Sequence, residues 1–108
     1  MNPPPEIDLE TARKHLEAAT ASFVDIRDPE SFQQAHIPGA THLSDENIHQ
    51  FIASAPREAA TIVYCYHGNS SLSGTAFLLE QGFEEVYSLA GGFEAWRQVY
   101  PEQQKGGE

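Results

Sequence analysis

The chain has 108 residues, 40% of them hydrophobic, and a formal net charge of −10 at pH 7. That size and composition fit one domain with a single core and exclude a disordered chain. The acidity argues against nucleic acid and anionic membrane surfaces as partners, since both need a basic footprint, and no apolar run approaches the ~18 residues of a membrane span.

Residues 1–6 read as an extended, proline-stiffened leader, with neither the basic nor the apolar region of a signal peptide. Asp8 is placed to cap a helix over 9–19, with Leu9, Ala12, Leu16 and Ala19 on one face. Phe23, Val24, Asp25 and Ile26 read as a strand. Asp28-Pro29 is a helix start, with the carboxylate capping and proline at the first helical position; this helix ends near Ala35. His36 to Ala40 form a turn, Thr41 to Leu43 a brief strand, and Ser44 caps a helix running to about Ala55, closed by Pro56. A strand over 61–64 follows, then a loop, then a helix with Leu72, Ala76 and Leu79 at helical spacing and Gly82 as its stop. The last strand is 86–89. Gly91-Gly92 lead into a helix anchored in the core by Phe93 and Trp96. Residues 101–108 are polar and expected to fray. Strands alternate with helices throughout, which predicts a mostly parallel sheet covered on both faces.

The sole cysteine, Cys65, stands directly after the strand 61–64 and opens the loop Cys65-Tyr66-His67-Gly68-Asn69-Ser70. In open α/β sheets, ligands sit outside the carboxyl ends of the strands. A thiol there faces the N–H groups of the loop and the positive end of the following helix, and both favour thiolate over thiol. Gly68 permits a close backbone approach, and Asn69, Ser70 and Ser71 complete a concave ring of amides suited to an anion. The plain alternative is a small buried hydrophobe at a strand end, but such a cysteine needs no Gly-Asn-Ser-Ser sequel. No lysine or arginine occurs between Arg57 and Arg97. Ser71, six residues after Cys65, stands where a cysteine phosphatase needs an arginine for the phosphoryl oxygens. This argues against phosphate ester chemistry and, more weakly, against arsenate reduction. With one cysteine there is no resolving thiol for disulfide chemistry. A lone thiolate in an amide cradle suits a one-atom relay: sulfur accepted as a persulfide, then passed on.

Four blocks carry a family resemblance: Val24-Asp25-Ile26-Arg27-Asp28-Pro29-Glu30-Ser31-Phe32, Ala35-His36-Ile37-Pro38-Gly39-Ala40, the loop 65–70, and the segment from Val86 to Trp96 that contains Ala90-Gly91-Gly92-Phe93. In this order and spacing they resemble the rhodanese domain over about residues 7–100, and the compact length resembles the single-domain thiosulfate sulfurtransferases of that family. The resemblance implies an α/β fold with a five-stranded parallel sheet and helices on both faces. It implies ping-pong transfer of sulfane sulfur from thiosulfate to cyanide or a thiol, through a persulfide on Cys65. Tyr66, His67, Gly68, Asn69 and Ser70 would form the substrate loop, and Asp25, Arg27 and Ser71 would support it. A six-residue loop suits a sulfur atom, whereas the related phosphatases carry a longer one. Many two-domain members have basic residues just after the cysteine; here Tyr66 and His67 stand in those places, so thiosulfate binding is expected to be weak, with polysulfide or a protein persulfide as other donors.

The five histidines show no metal-like spacing beside the cysteine, so neither a metal nor a cofactor is expected. His36 reads as a hydrogen-bonded structural residue, and His67 as either a donor to substrate or a solvated side chain. For Asp25 and Arg27 the plain alternative is a surface ion pair. The expected partners are a small sulfane-sulfur donor and an acceptor such as a dithiol or a thioredoxin-like protein, with no nucleic acid and no membrane. A monomer in the cytoplasm is expected from the acidity, the lone thiol and the lack of targeting signals. A module that docks a partner or senses sulfur without turnover is the rival from another class.

Overall fold

The computed structural model describes residues 4–106. In chain order the elements are β1 (Glu6–Ile7), α1 (Leu9–Ala18), β2 (Ala21–Asp25), α2 (Pro29–Gln34), β3 (Thr41–His42), α3 (Ile48–Ser54), β4 (Ala60–Tyr64), α4 (Ser70–Glu80), β5 (Val86–Leu89) and α5 (Gly92–Val99). The strands form one five-stranded sheet in the order β1-β5-β4-β2-β3, and every pairing is parallel. β4 is central, and all five of its residues are buried, as a strand covered on both faces requires.

Alternation along β4 divides the core. Ile62 and Tyr64 join Phe23, Leu89, Phe93 and Trp96 on the face covered by α1 and α5. Val63 joins Leu78, Phe83 and Val86 on the other, against Phe51 and Ile52 of α3. The anchors read from the sequence are fully interior: Trp96 is 0% and Phe93 2% exposed. Local caps form as the sequence requires. Asp8 accepts from the Thr11 N–H at 2.8 Å. Asp28 accepts from the Ser31 N–H at 3.0 Å, with Pro29 opening α2. Gly82, at φ +96°, ends α4 by donating its N–H to the Leu79 carbonyl.

β2 lies slightly earlier than the strand read from the sequence, leaving Ile26 outside it, and three other boundaries differ more. Ser44 does not cap α3, which begins four residues later at Ile48. The Asn47 side chain is the cause: its Oδ1 accepts from the Ser44 N–H at 2.8 Å and its Nδ2 donates to the His42 carbonyl at 2.7 Å, holding 44–47 as a turn. The proposed leader overlaps a strand, because Glu6 and Ile7 pair with Ser88 and Leu89. The tail is tied down through residue 106. His36 and Lys105 exchange backbone hydrogen bonds of 2.8 Å in both directions, and the Trp96 indole donates to the Gln103 carbonyl at 2.8 Å. On the tail's side only backbone groups make these contacts, so its polar side chains gave no sign of them. The parts of the leader and tail at 1–3 and 107–108 lie outside the described residues.

The carboxyl ends of β2, β3 and β4 open on the same edge of the sheet, which brings the segments after Asp25, His42 and Tyr64 together.

Candidate active site

Cys65 follows β4 directly and is 7% exposed. Its Sγ accepts the N–H of Gly68 at 3.2 Å and the N–H of Ser71 at 3.3 Å. Ser71 Oγ lies 3.4 Å from the sulfur. In the thiol form the S–H donates to that oxygen; on ionisation the hydroxyl can turn and donate to the thiolate. Ser88 Oγ, 2.7 Å from Ser71 Oγ, then supplies the hydrogen bond that Ser71 gives up. Burial pushes the thiol pKa up, but the Ser71 hydroxyl and the N–H groups of Ser71, Gly68 and His67 outweigh it, so the thiol lies below the ordinary cysteine range. The sulfur anion is thus held by hydrogen bonds, and none of the partners it has among the described residues is a cation.

An amide ring can face inward only if the loop carbonyls find partners outside it. The amino end of α5 provides them: Phe93 N–H donates to the Cys65 carbonyl at 2.8 Å and Glu94 N–H to the Tyr66 carbonyl at 2.9 Å. These are two of the donors that a helix start leaves unpaired. Glycine makes the approach close enough. Gly92 sits at φ +63°, and a Cβ there would lie 2.3 Å from the Tyr66 carbonyl oxygen. Gly68, at φ +91°, lets the loop turn beside the Gly91 N–H, which would stand 3.0 Å from an added Cβ.

Asp25 and Arg27 form a buried pair, correcting the surface alternative. Arg27 Nη2 lies 2.7 Å from Asp25 Oδ2, with side chains 3% and 0% exposed. Burial disfavours the Arg27 charge, yet the Asp25 carboxylate more than offsets this and holds the guanidinium pKa above its ordinary value. Nη2 also donates to the Ala35 carbonyl at 2.6 Å. The cation packs on the rings of Phe93 and Tyr66, 4.3 and 5.1 Å from their centroids. The pair therefore braces the wall of the loop. Tyr66 is pinned from its other end, where its hydroxyl lies 2.7 Å from Ser31 Oγ.

A cleft of about 270 Å³ opens over the sulfur, between Ile26, Arg27 and Asp28 on one side and Cys65, Tyr66, His67, Asn69 and Ser70 on the other. His67, Asn69 and Ser70 are exposed at its rim. His36 lies apart from this cleft, with Nδ1 2.7 Å from the Phe32 carbonyl oxygen. Of the residues singled out from the sequence, Cys65 to Ser71 form the cradle, with Asp25 and Arg27 behind it. Sequence reasoning missed Ser88 and the Phe93 and Glu94 amides. Ser88 carries no motif signal inside an apolar strand, but the glycine pair at 91–92 was a visible sign of a close backbone approach.

The chain is similar to several known proteins. A family model described as the rhodanese-like domain matches residues 8–99. Thiosulfate sulfurtransferase GlpE of Pseudomonas aeruginosa is 50% identical over 95 residues, which cover 88% of this chain and 86% of that protein. The protein of the same name from Pseudomonas putida is 51% identical over 98 residues, covering 91% and 86%. Among solved structures, the rhodanese-like domain of an Anabaena protein superposes with a TM-score of 0.82 at 25% identity, covering 98% of this chain and 80% of that one.

Two predictions follow from the cradle. The alkylation rate of Cys65 by iodoacetamide should rise with pH through a midpoint below the ~8.5 of a free cysteine. In Ser71→Ala that midpoint should move up by about one unit, the size expected for one hydrogen bond to a charged group; an unmoved midpoint would remove the Ser71 hydroxyl from the cradle. Gly92→Ala should lose about 2 kcal/mol or more in urea unfolding, from the positive φ and the clash with the loop. A loss under about 0.5 kcal/mol would mean that α5 does not press on the loop.

Proposed function

Because this chain belongs to the rhodanese-like domain family, we propose that it catalyses sulfane-sulfur transfer from thiosulfate, with Cys65 as the nucleophile and sulfur carrier. The protein is a thiosulfate sulfurtransferase. The Cys65 thiolate attacks the outer sulfur of thiosulfate; a new S–S bond forms, the old one breaks, and sulfite leaves with its electron pair. The persulfide anion is stabilised by the N–H groups that met the thiolate. Cyanide or a thiolate then takes the outer sulfur, and Cys65 returns to thiolate. No electrons enter or leave over the cycle.

The observation that carries this reading is the set of donors at Sγ, namely the Gly68 and Ser71 amides and the Ser71 hydroxyl, in a loop of six residues. Such a ring suits one added sulfur atom. Ser71 is 0% exposed and bonded to Ser88, so the position after the loop offers no bidentate cation for a phosphoryl group. Tyr66, His67, Gly68, Asn69 and Ser70 form the substrate loop in this proposal, and Asp25, Arg27 and Ser71 hold it in place.

The charges near the cleft work against a dianionic donor. Arg27 is already paired with Asp25, and the Asp28 carboxyl is held below its usual range by its hydrogen bonds from Ser31. Thiosulfate therefore binds weakly, and a polysulfide or a protein persulfide serves as well. The acceptor we assign is a thiol, the class to which a dithiol and a thioredoxin-like protein both belong. We place the protein in the cytoplasm, where a single unpaired cysteine stays reduced. It acts there as a monomer, since among the described residues the exposed large hydrophobics, Tyr66, Phe77 and Val99, stand on the loop, α4 and α5 respectively and belong to no single face of one element. Among the described residues no helix is long and apolar enough to cross a membrane.

Cys65→Ser should abolish thiocyanate formation from thiosulfate and cyanide, by on the order of a thousandfold or more, with urea stability within about 1 kcal/mol of the parent. Turnover retained in that variant would remove Cys65 from the mechanism.

A further inference from the structure

A second cavity, about 360 Å³ in volume, lies beside the sulfur cleft at the carboxyl ends of β2, β3 and β4. The two cavities share a wall, because Ile26 and Arg27 line both. Its lining is mainly aliphatic and aromatic, with Ile26, Leu43, Ile48, Val63, Phe77 and Leu78 among its walls. Phe77 is 39% exposed at its edge although it stands on a core-facing helix. Gly74 contributes no side chain to the space, and an added Cβ would come within 3.3 Å of Val63 and 3.6 Å of Ile26. Apart from the shared Ile26 and Arg27, the thiosulfate reading uses none of this surface, since a compact dianion gains nothing from an apolar wall.

We propose that this cavity is the binding site for the body of the sulfur acceptor, and that the acceptor is a small thiol with an uncharged alkyl chain. The proposal rests on sulfurtransferase chemistry at Cys65. Three observations select that ligand. The volume lies in the range of small-molecule pockets, and its lining favours hydrocarbon. The only basic side chain at the wall besides His42 is Arg27, whose charge is already matched by Asp25, so an anionic chain finds no free cation there. The exposed Asp45 at the rim and the chain's net charge of −10 also disfavour an anion. Ile26 and Arg27 border both spaces, so the cavity lies directly beside the cleft; in this proposal the alkyl body lies in the cavity and its terminal sulfur reaches over that shared border into the cleft.

The transfer balances without a further reagent. The acceptor sulfur bonds to the outer sulfur of the persulfide as the bond to Cys65 Sγ breaks. The electron pair of that bond stays on Sγ, which becomes the thiolate. The acceptor's thiol proton ends on the product persulfide.

The test uses full-length protein loaded with sulfur and discharged by a series of neutral thiols: mercaptoethanol, mercaptobutanol and mercaptohexanol. The kcat/KM for discharge should rise along the series, by about two- to fourfold per methylene buried. In Phe77→Asp the rise should flatten by about tenfold at mercaptohexanol, while discharge by cyanide stays unchanged. Hexanol, which cannot react, should shift the NMR methyl signals of Ile26, Leu43, Ile48 and Leu78 saturably in the unloaded protein. A flat series in the parent, a rise untouched by Phe77→Asp, or no saturable shift with hexanol would each overturn the proposal, and would leave the cavity to a protein partner's side chain or to no ligand. Failure of sulfur loading, or of discharge to cyanide, would instead count against the sulfurtransferase reading; the hexanol titration decides the cavity in either case.

Discussion

A sulfur anion 7% exposed at the end of a central strand must be met by donors, or it will not form. Here the donors are mostly backbone N–H groups, and they are free to face the sulfur because the loop's own carbonyls are satisfied elsewhere. The amino end of α5 accepts that task by donating to Cys65 and Tyr66. Two helix starts thus serve one loop. The α4 start gives the Ser71 N–H to the sulfur, and the α5 start supports the loop from behind. Gly92 is the hinge of this arrangement, since any Cβ there would occupy the space of the Tyr66 carbonyl.

The buried ion pair has a related role. Asp25 and Arg27 leave β2 at the same edge, and their charges cancel within the fold. A buried pair of this kind is weak evidence for added stability, because desolvation offsets much of the attraction. What it does provide is a rigid platform. The guanidinium touches the rings of Phe93 and Tyr66 and bonds to Ala35, so it ties α5, the loop and the end of α2 together. Its charge is consumed in doing so, which leaves the cleft without a strong anion receptor and the sulfur dependent on amides.

Much of this was legible in the sequence where the signal is local. Asp8 and Asp28-Pro29 mark helix starts because capping involves only the next few residues. The thiol at a strand end, followed by Gly68 and small polar residues, marks the cradle for the same reason. Legibility failed where a contact depends on distant backbone. Ser88 reaches Ser71 across 17 residues of sequence, from β5 to α4, and a lone serine in an apolar strand has no pattern to distinguish it. The Phe93 and Glu94 amides act without their side chains, so residue identity cannot disclose them. Asn47 displaced Ser44 as the start of α3 by bonding to two backbone groups at once, a choice that becomes favourable only when β3 is in place. For Asp25 and Arg27 the i, i+2 pairing was readable, whereas their burial depends on the rings packed over them.

The most direct test of the sulfur relay is the intact mass of the purified protein, taken before thiosulfate, after thiosulfate, and again after cyanide. One sulfur atom should be added on Cys65 and then removed as thiocyanate. If the mass does not change with thiosulfate or with polysulfide, or if the added sulfur resists cyanide, the cradle around Cys65 does not carry a transferable persulfide.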